Sequence, residues 1–198
     1  MASRNGRPSI SPVVPPISVI STSALVDSAT SEKIRQLPID FLILGDGECA
    51  KECRDAIERE NLDSVRILPP VSLESVPSVL IQADILVSSH ADWSGALVGS
   101  KFIEYCAAGK PILVHGRSEA AGLVERIGNG LACVAGDRDR LFEVLREFST
   151  KRDEWARRAL SGRQYARENF SQRSRDDQWE TLLMSVASGD RMKKHNAA

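Results

Sequence analysis

Short apolar runs alternate with longer helical patterns along most of the chain, and this alternation constrains the fold more than any other feature. The runs are almost continuously hydrophobic and rich in β-branched residues and leucine, as is typical of strands buried on both faces of a parallel sheet. They cover residues 17–25, 40–45, 65–69, 84–89, 111–115 and 131–135. The pattern predicts an α/β protein with a single Rossmann-like, doubly wound parallel sheet of about six strands.

The segments between the runs carry apolar residues at helical spacing, and they predict helices over 48–62, 72–83, 101–108, 118–128 and 137–149. Ser72, Ser118 and Asp137 stand where a helix is capped at its start, and Gly128 stands where one ends. Pro77 makes the first turns after Ser72 irregular. Two charged amphipathic helices, 151–170 and 171–187, follow the last strand. We therefore expect one domain over 17–187, between a disordered Pro-rich tail, 1–16, and a disordered tail, 188–198.

Charge and composition argue against several classes of protein. The chain has 198 residues, with Lys+Arg 26 against Asp+Glu 27, and only 5% of its residues are aromatic. Neither figure favours nucleic-acid binding. No apolar stretch reaches the roughly 20 residues of a membrane-spanning helix, and the first 20 residues lack the charged-then-apolar pattern of a signal peptide. The four cysteines lack the paired spacing of a zinc site, so we expect reduced thiols in a cytoplasmic protein and no metal.

A glycine turn, Gly45-Asp46-Gly47, follows the second run and precedes a helix. Together with Ala50 it matches G-x-G-x-x-A, the pattern that binds dinucleotides through backbone N–H groups. The next strand ends in "ILPPV", without the carboxylate that would hold the ribose of such a cofactor. Two alternatives remain open for this loop, direct contact with a ligand and a turn that only lets the chain enter its helix.

The stretch "GSKFIEYCAAGKP" begins a helix after the fourth run. The free N–H groups of Gly99, Ser100 and Lys101 are suited to bind a diphosphate, and Lys101 adds a positive charge. Glu104 is one turn further along the same face, where its carboxylate would accept hydrogen bonds from ribose hydroxyls. The alternative is that Glu104 is an ordinary solvated acid and Lys101 an ordinary surface cation.

Five blocks of the sequence together resemble the C-terminal half of GT-B glycosyltransferases of the family 4 type. They are "LILGDGECAKEC", "VRILPPVSLESVPSVLIQADILVSS", "GSKFIEYCAAGKPILV", "GNGLACVAGDRDRLFEVL" and "ARENFSQRSRDDQWETLL". Their order and spacing match over roughly 17–187. The resemblance implies a GT-B half with two C-terminal helices, and this half of the family's proteins binds a nucleotide diphosphate sugar.

The resemblance also implies roles for individual residues. The turn of Gly99, Ser100 and Lys101 would meet the phosphates of the donor, and Glu104 its ribose. Backbone groups at the strand end, from Leu68 to Val71, would meet the base. The loop of Gly45 and Gly47 would line the cleft between two domains. His90, at the end of the fourth run, is a further candidate for the rim of that cleft. No catalytic residue is assigned.

Three departures from the family pattern matter. Many members carry a first glutamate near the transferred sugar, and that position is Ala96 here. The first strand lacks the usual terminal glycine, and the basic residues after it, Lys33 and Arg35, are assigned no role. Only a short Pro-rich tail precedes the domain, so we expect this chain alone to lack an acceptor site.

The function that the resemblance implies is transfer of a sugar, with retention of configuration, to a saccharide or lipid-linked acceptor in polysaccharide biosynthesis. No cofactor is expected beyond the donor substrate. The expected partner is a separate N-terminal acceptor-binding domain or chain, and the alternative is peripheral contact with the inner membrane surface. Two rival functions remain, a non-catalytic nucleotide-sugar-binding module or subunit, and a nicotinamide oxidoreductase that uses the Gly45 loop.

Overall fold

The computed structural model of the protein describes residues 17–21, 26–47, 49–89 and 98–188. Six strands form one sheet in the order β3-β2-β1-β4-β5-β6, and all neighbouring strands are parallel. The strands are β1 (Ile17–Ser21), β2 (Ile39–Leu44), β3 (Val65–Leu68), β4 (Ile85–Ser89), β5 (Ile112–His115) and β6 (Gly130–Cys133). The predicted fold class is confirmed. In sheets of this strand order, ligands bind beyond the carboxyl ends of the strands where the winding reverses, which is between β1 and β4 here.

The helices that the structure describes connect these strands and continue after the last one. They are α1 (Val26–Ala29), α2 (Glu32–Arg35), α3 (Ala50–Arg59), α4 (Val76–Leu80), α5 (Ser100–Ala108), α6 (Glu119–Ile127), α7 (Arg138–Thr150), α8 (Arg152–Arg158), α9 (Leu160–Phe170) and α10 (Gln172–Ala187). None of the helices in the described ranges has the length and hydrophobicity needed to cross a bilayer.

The sheet separates two hydrophobic layers, because successive side chains of a strand point to opposite faces. On β5, Leu113 belongs to the layer that includes side chains of α1, α2, α3, α7 and α8, whereas Ile112 and Val114 belong to the layer that includes those of α4, α5, α6 and α9. All three residues are fully buried. The near-continuous hydrophobicity of the runs, from which the strands were predicted, follows from burial on both faces.

The predicted helix ends agree with the structure in part. Gly128 ends α6 with a φ of +76°, a left-handed conformation that glycine adopts without a steric penalty. The carboxylate of Asp137 accepts a hydrogen bond from the N–H of Arg140 at 2.9 Å and so caps α7. Ser118 occupies the corresponding position of α6, but its side chain makes no capping bond in the described part of the chain.

Two helix predictions were wrong in detail. The helix predicted from Ser72 begins only at Val76, because residues 72–75 form a turn in which the N–H groups of Ser75 and Val76 bond to the carbonyl of Ser72. The single helix predicted over 151–170 is divided at Ala159 into α8 and α9. There the N–H of Gly162 bonds to the carbonyl of Ala159, three residues back, which tightens the turn. Three helices rather than two therefore follow α7.

The segment after the sheet is tied to the domain mainly through α8 and α9. The ring of Trp155 is buried and meets that of Phe148 at 4.9 Å between centroids. The guanidinium of Arg152 donates to the carboxylate of Asp84, at the start of β4, at 3.1 Å. Helix α9 packs against α5, and α10 packs against α9 without a buried side chain of its own. Both predicted tails, except for Ser188, lie outside the described residues.

Candidate functional site

Helix α5 begins at the edge of the sheet where the strands end. Its last residue is separated from the start of β5 by only three residues, so its C-terminus lies at the opposite edge and its N-terminus points toward the carboxyl ends. Gly99 precedes the helix in an extended conformation, and its carbonyl accepts the N–H of Phe102 at 3.0 Å. No side chain in the described ranges caps this end. Among the described residues, none occupies the first N–H groups of α5, and such groups attract anions.

Lys101 and Glu104 lie together on the exposed side of this helix. The Nζ of Lys101 is 3.1 Å from Oε2 of Glu104, and their side chains are 60% and 40% exposed. Phe102, Tyr105 and Cys106 are buried and fix the helix against the sheet. Burial, together with the charge of Glu104, raises the pKa of Tyr105 to about 12. The structure thus brings the predicted anion-binding turn and the predicted ribose ligand within one helical turn of each other.

A cavity of about 440 Å³ opens beside this pair, between α4 and α5. One wall consists of apolar side chains in and just before α4, namely Leu73, Val76, Pro77, Leu80 and Ile81. The other wall is the face of α5 that carries Lys101, Glu104, Ala107 and Ala108. Glu104 therefore contributes to a concave, largely apolar surface, which is typical of a small-molecule site.

Arg163, from α9, completes the lining of the cavity, and the sequence analysis did not identify it. Its aliphatic part lies against Gly109, where a Cβ would be 3.4 Å from the Cδ of Arg163. Within the described ranges, no salt bridge involves this guanidinium. No local sequence pattern indicates this contact, because α9 reaches α5 only after the sheet is complete. Gly109 itself is explained by its φ of +68°, the left-handed conformation in which α5 ends.

The Gly45 loop lies at the same edge of the sheet, on β2. Gly45 has a φ of +116°, which side chains rarely allow, and its N–H donates to the carbonyl of Leu68 at 3.1 Å. A Cβ on Gly45 or Gly47 would meet no atom of the described chain within 4 Å. The first glycine is therefore needed for its backbone conformation, while the surface of the loop is open to a neighbouring molecule.

The remaining predicted site residues are less closely grouped. Leu68 is the last residue of β3 and Val71 lies three residues further on, but the lining of the cavity begins only at Leu73. His90 lies outside the described residues. Of the basic residues that were assigned no role, Lys33 pairs with Asp139 at 2.7 Å, and Arg35 donates to the carbonyl of Glu60.

The cysteines do not form a cluster with other ligands. Cys49 is exposed, whereas Cys53, Cys106 and Cys133 are buried. Burial raises the pKa of Cys106 and of Cys133 to about 11. Within the described residues, no three side chains of His, Cys, Asp or Glu come together as metal ligands would.

Comparison with known proteins gives one family match. The model of the family described as Glycosyl transferases group 1 matches residues 23–150. A search of the curated proteins found no match.

Solved structures share the fold at low sequence identity. Sucrose-phosphate synthase of Thermosynechococcus elongatus has a TM-score of 0.69 at 17% identity, over 88% of this chain and 46% of that protein. The Anabaena protein HepE, in complex with UDP, has a TM-score of 0.71 at 19% identity, over 86% of this chain and 49% of HepE. TarM of S. aureus, in a complex that includes UDP, has a TM-score of 0.68 at 17% identity, over 85% of this chain and 35% of TarM. The chain thus spans less than half of each of these proteins.

Proposed function

The chain belongs to the family Glycosyl transferases group 1, and we propose that it binds the nucleotide diphosphate sugar from which a glycosyltransferase transfers its sugar. One observation carries this proposal. The start of α5, which no side chain of the described residues caps, lies at the carboxyl edge of the sheet, and Lys101 and Glu104 follow it beside a cavity. Two of the similar structures, HepE and TarM, are described in complex with UDP, which supports the same class of ligand.

In the proposed complex, the diphosphate of the donor lies against the N–H groups of Gly99, Ser100 and Lys101. These dipoles and the Lys101 ammonium stabilise the negative charge that develops on the leaving diphosphate when the sugar is transferred. No metal ion is required for that role. Glu104 accepts hydrogen bonds from the ribose hydroxyls, and backbone groups from Leu68 to Val71 contact the base.

The Gly45 loop has a smaller part in this proposal. Gly45 and Gly47 border the open edge of the sheet, where they would line the cleft toward the acceptor. The rival use of this loop, binding of a nicotinamide cofactor, predicts measurable affinity for NAD(H). We expect none at millimolar concentration, since β3 ends at Leu68 without a carboxylate for the cofactor ribose.

Substitution of Glu104 by glutamine tests the proposed ribose contact. Titration calorimetry with UDP should show about a tenfold loss of affinity, because hydrogen bonds to a charged group contribute roughly 1.5–3 kcal/mol. The loss of the exposed ion pair with Lys101 should change the unfolding free energy by less than about 1 kcal/mol. Glu125→Gln is the matched control, since Glu125 is an exposed glutamate of α6 that does not line the cavity.

Two results would contradict the proposal. Wild-type protein that binds neither UDP nor GDP, nor their sugars, is not a donor-binding domain. If UDP binds and Glu104→Gln binds it as tightly as Glu125→Gln does, then α5 is not the site. Both results are read from affinity alone and need no acceptor.

The acceptor is proposed to bind a separate domain or chain. Helix α10 supports this, because its exposed side includes Trp179, Leu183 and Val186, which recur at helical spacing and are 62%, 63% and 68% exposed. A face of this kind favours a protein neighbour over water. Transfer with retention, to a saccharide or lipid-linked acceptor in polysaccharide biosynthesis, is supported by the family 4 resemblance. A cytoplasmic site with peripheral contact at the inner membrane surface is supported by the arginines of α8 to α10.

The alternative is a non-catalytic nucleotide-sugar-binding module. Donor turnover distinguishes the two functions. UDP release from UDP-glucose in the presence of a complementing acceptor chain supports the transferase, and tight donor binding without release under any such condition supports the module.

A further inference from the structure

The cavity between α4 and α5 extends beyond the edge of the sheet where the nucleotide is proposed to bind. Each of these helices follows the end of one parallel strand and leads to the start of the next, so both run from the carboxyl edge to the amino edge. Leu73 and Lys101 line the cavity at the carboxyl edge. Ile81, Ala108 and Arg163 line it toward the amino edge, where α5 ends. A nucleotide at the carboxyl edge therefore leaves the second end of the cavity unexplained.

The walls between the two ends are apolar and open to solvent. Leu73 is 87% exposed and Ile81 is 55% exposed, and both belong to the wall on the side of α4. On the side of α5, Ala107 and Ala108 carry only methyl groups, which leave space between the helices. An exposed apolar surface of this shape favours an apolar ligand over water.

The dimensions of the cavity suit one extended chain better than a helix of another protein. Lys101 and Ala108 are about 10 Å apart along the axis of α5. Divided by this length, the cavity volume of about 440 Å³ gives a mean cross-section of about 40 Å², roughly half that of a helix 10 Å across. The volume lies within the roughly 300–1,000 Å³ of small-molecule sites. The expected ligand is therefore a small molecule with a narrow apolar part.

The charges at the two ends of the cavity indicate the polar part of this ligand. Nζ of Lys101 is 3.1 Å from Oε2 of Glu104, so the carboxyl-edge end carries both signs. Within the described ranges, Arg163 forms no salt bridge, so the other end is positive. A guanidinium binds a phosphate or carboxylate through two parallel hydrogen bonds. Residues 1–16 contain two arginines and no acidic residue, and residues 189–198 contain three basic residues and one acidic residue, so neither segment is complementary to Arg163.

We propose that this cavity binds a free single-chain amphiphile with an anionic head. The alkyl chain lies between α4 and α5, where it covers Leu73 and Ile81, and the phosphate or carboxylate head contacts Arg163. The head then lies at the amino edge of the sheet, away from the proposed nucleotide. The inference does not depend on the proposed function, since it concerns a separate ligand.

Calorimetric titration of the full chain with alkyl phosphates tests the inference without any variant. Each buried methylene should raise the affinity about fourfold, so octyl phosphate should bind at least about tenfold more tightly than butyl phosphate. Octyl phosphate should also bind about tenfold more tightly than octanol, because the head gains hydrogen bonds to a charged group. Saturating UDP should leave the affinity for octyl phosphate within about twofold.

Two variants test the two halves of the site separately. Arg163→Met keeps an unbranched side chain but removes the charge, and it should reduce the preference for octyl phosphate over octanol to within about twofold. Arg167→Met is its control, since Arg167 is an exposed arginine of the same helix that does not line the cavity. Ala107→Leu fills the space between the helices from an exposed position, and it should weaken octyl phosphate about tenfold or more. Ala156→Leu, at an exposed position of α8, should leave that affinity unchanged.

Several results would overturn the inference. Equal affinities for butyl and octyl phosphate mean that no chain lies in the cavity. Displacement of octyl phosphate by UDP, with no effect of Arg163→Met, means that the head binds at the start of α5 instead. Sedimentation with phosphatidylglycerol vesicles without affinity for octyl phosphate means that the surface contacts a bilayer rather than a free amphiphile. Each of these results leaves the Glu104-dependent binding of UDP untouched, so the two proposals can fail independently.

Discussion

The close approach of α9 to the body of the domain depends on Gly162. A Cβ at this position would lie 2.2 Å from Nδ2 and 2.9 Å from Cγ of Asn129. Asn129 is completely buried, and its Nδ2 donates to the Sγ of Cys106 at 3.5 Å, so it has little room to move. In Gly162→Ala, either α9 must shift away from the domain or the Asn129 side chain must leave its position.

The expected cost follows from three terms. Alanine is a better helix former than glycine by about 1 kcal/mol, which favours the variant. Overpacking of a buried contact costs roughly 1–3 kcal/mol, and loss of the hydrogen bond of Asn129 adds about 1 kcal/mol. The sum predicts that Gly162→Ala lowers the free energy of unfolding by about 1–3 kcal/mol.

Urea denaturation, followed by circular dichroism, measures this change. Gly122→Ala is the control, because Gly122 is an exposed glycine of α6 whose added Cβ would meet only the terminal Nη1 of Arg126, at 3.3 Å. We expect that variant to be as stable as the wild type or more stable by up to about 1 kcal/mol. If Gly162→Ala matched Gly122→Ala in stability, the packing of α9 on Asn129 described above would be refuted.

Two further predictions concern a glycine of the sheet and the buried side chains of Cys106 and Tyr105. Gly130→Ala places a Cβ 1.9 Å from the carbonyl oxygen of Ile112, a backbone atom that cannot rotate away, so we expect a loss of about 3 kcal/mol or more in urea denaturation. The raised pKa values of Cys106, about 11, and Tyr105, about 12, mean that the unfolded chain loses these protons at lower pH than the native protein does. These two groups therefore leave the free energy of unfolding undiminished below about pH 9, and they lower it as the pH rises through their native pKa values. Cys106 alone lowers it by roughly 2 kcal/mol by about pH 10.5. Urea midpoints measured from pH 8 to 10.5 check this, and a flat profile, or one that Cys106→Ala leaves unchanged, would contradict it.

The sheet could be predicted from the sequence because its strands are short, apolar and buried on both faces. A run such as 111–115 has only one way to bury all its side chains, which is between two layers of helices. The start of α4 could not be predicted in the same way. Ser72 is a good capping residue, and the preference of residues 72–75 for a turn depends on local hydrogen bonds that compete closely with a helix. The division at Ala159 likewise follows from how α8 and α9 pack, not from any helix-breaking residue.

The candidate site was predictable where it depends on one helix. Gly99, Ser100 and Lys101 are consecutive at the start of α5 and Glu104 is one turn further on, so helical geometry alone brings them together. Arg163 and Leu73 line the same cavity from segments far apart in the chain. No sequence motif around either residue indicates that it lines a site. Such positions become visible only when the packing of α4, α5 and α9 is known.

The position of α9 therefore links the stability of the domain to the shape of the cavity. Gly162 allows α9 to approach Asn129, and the next residue, Arg163, lines the cavity from the same turn of the helix. Helix α9 packs against α5, which carries Lys101 and Glu104. If α9 shifts in Gly162→Ala, we expect the affinity for UDP to fall together with the stability of the domain. If the affinity persisted in a variant shown to be destabilised, Asn129 rather than α9 would have moved.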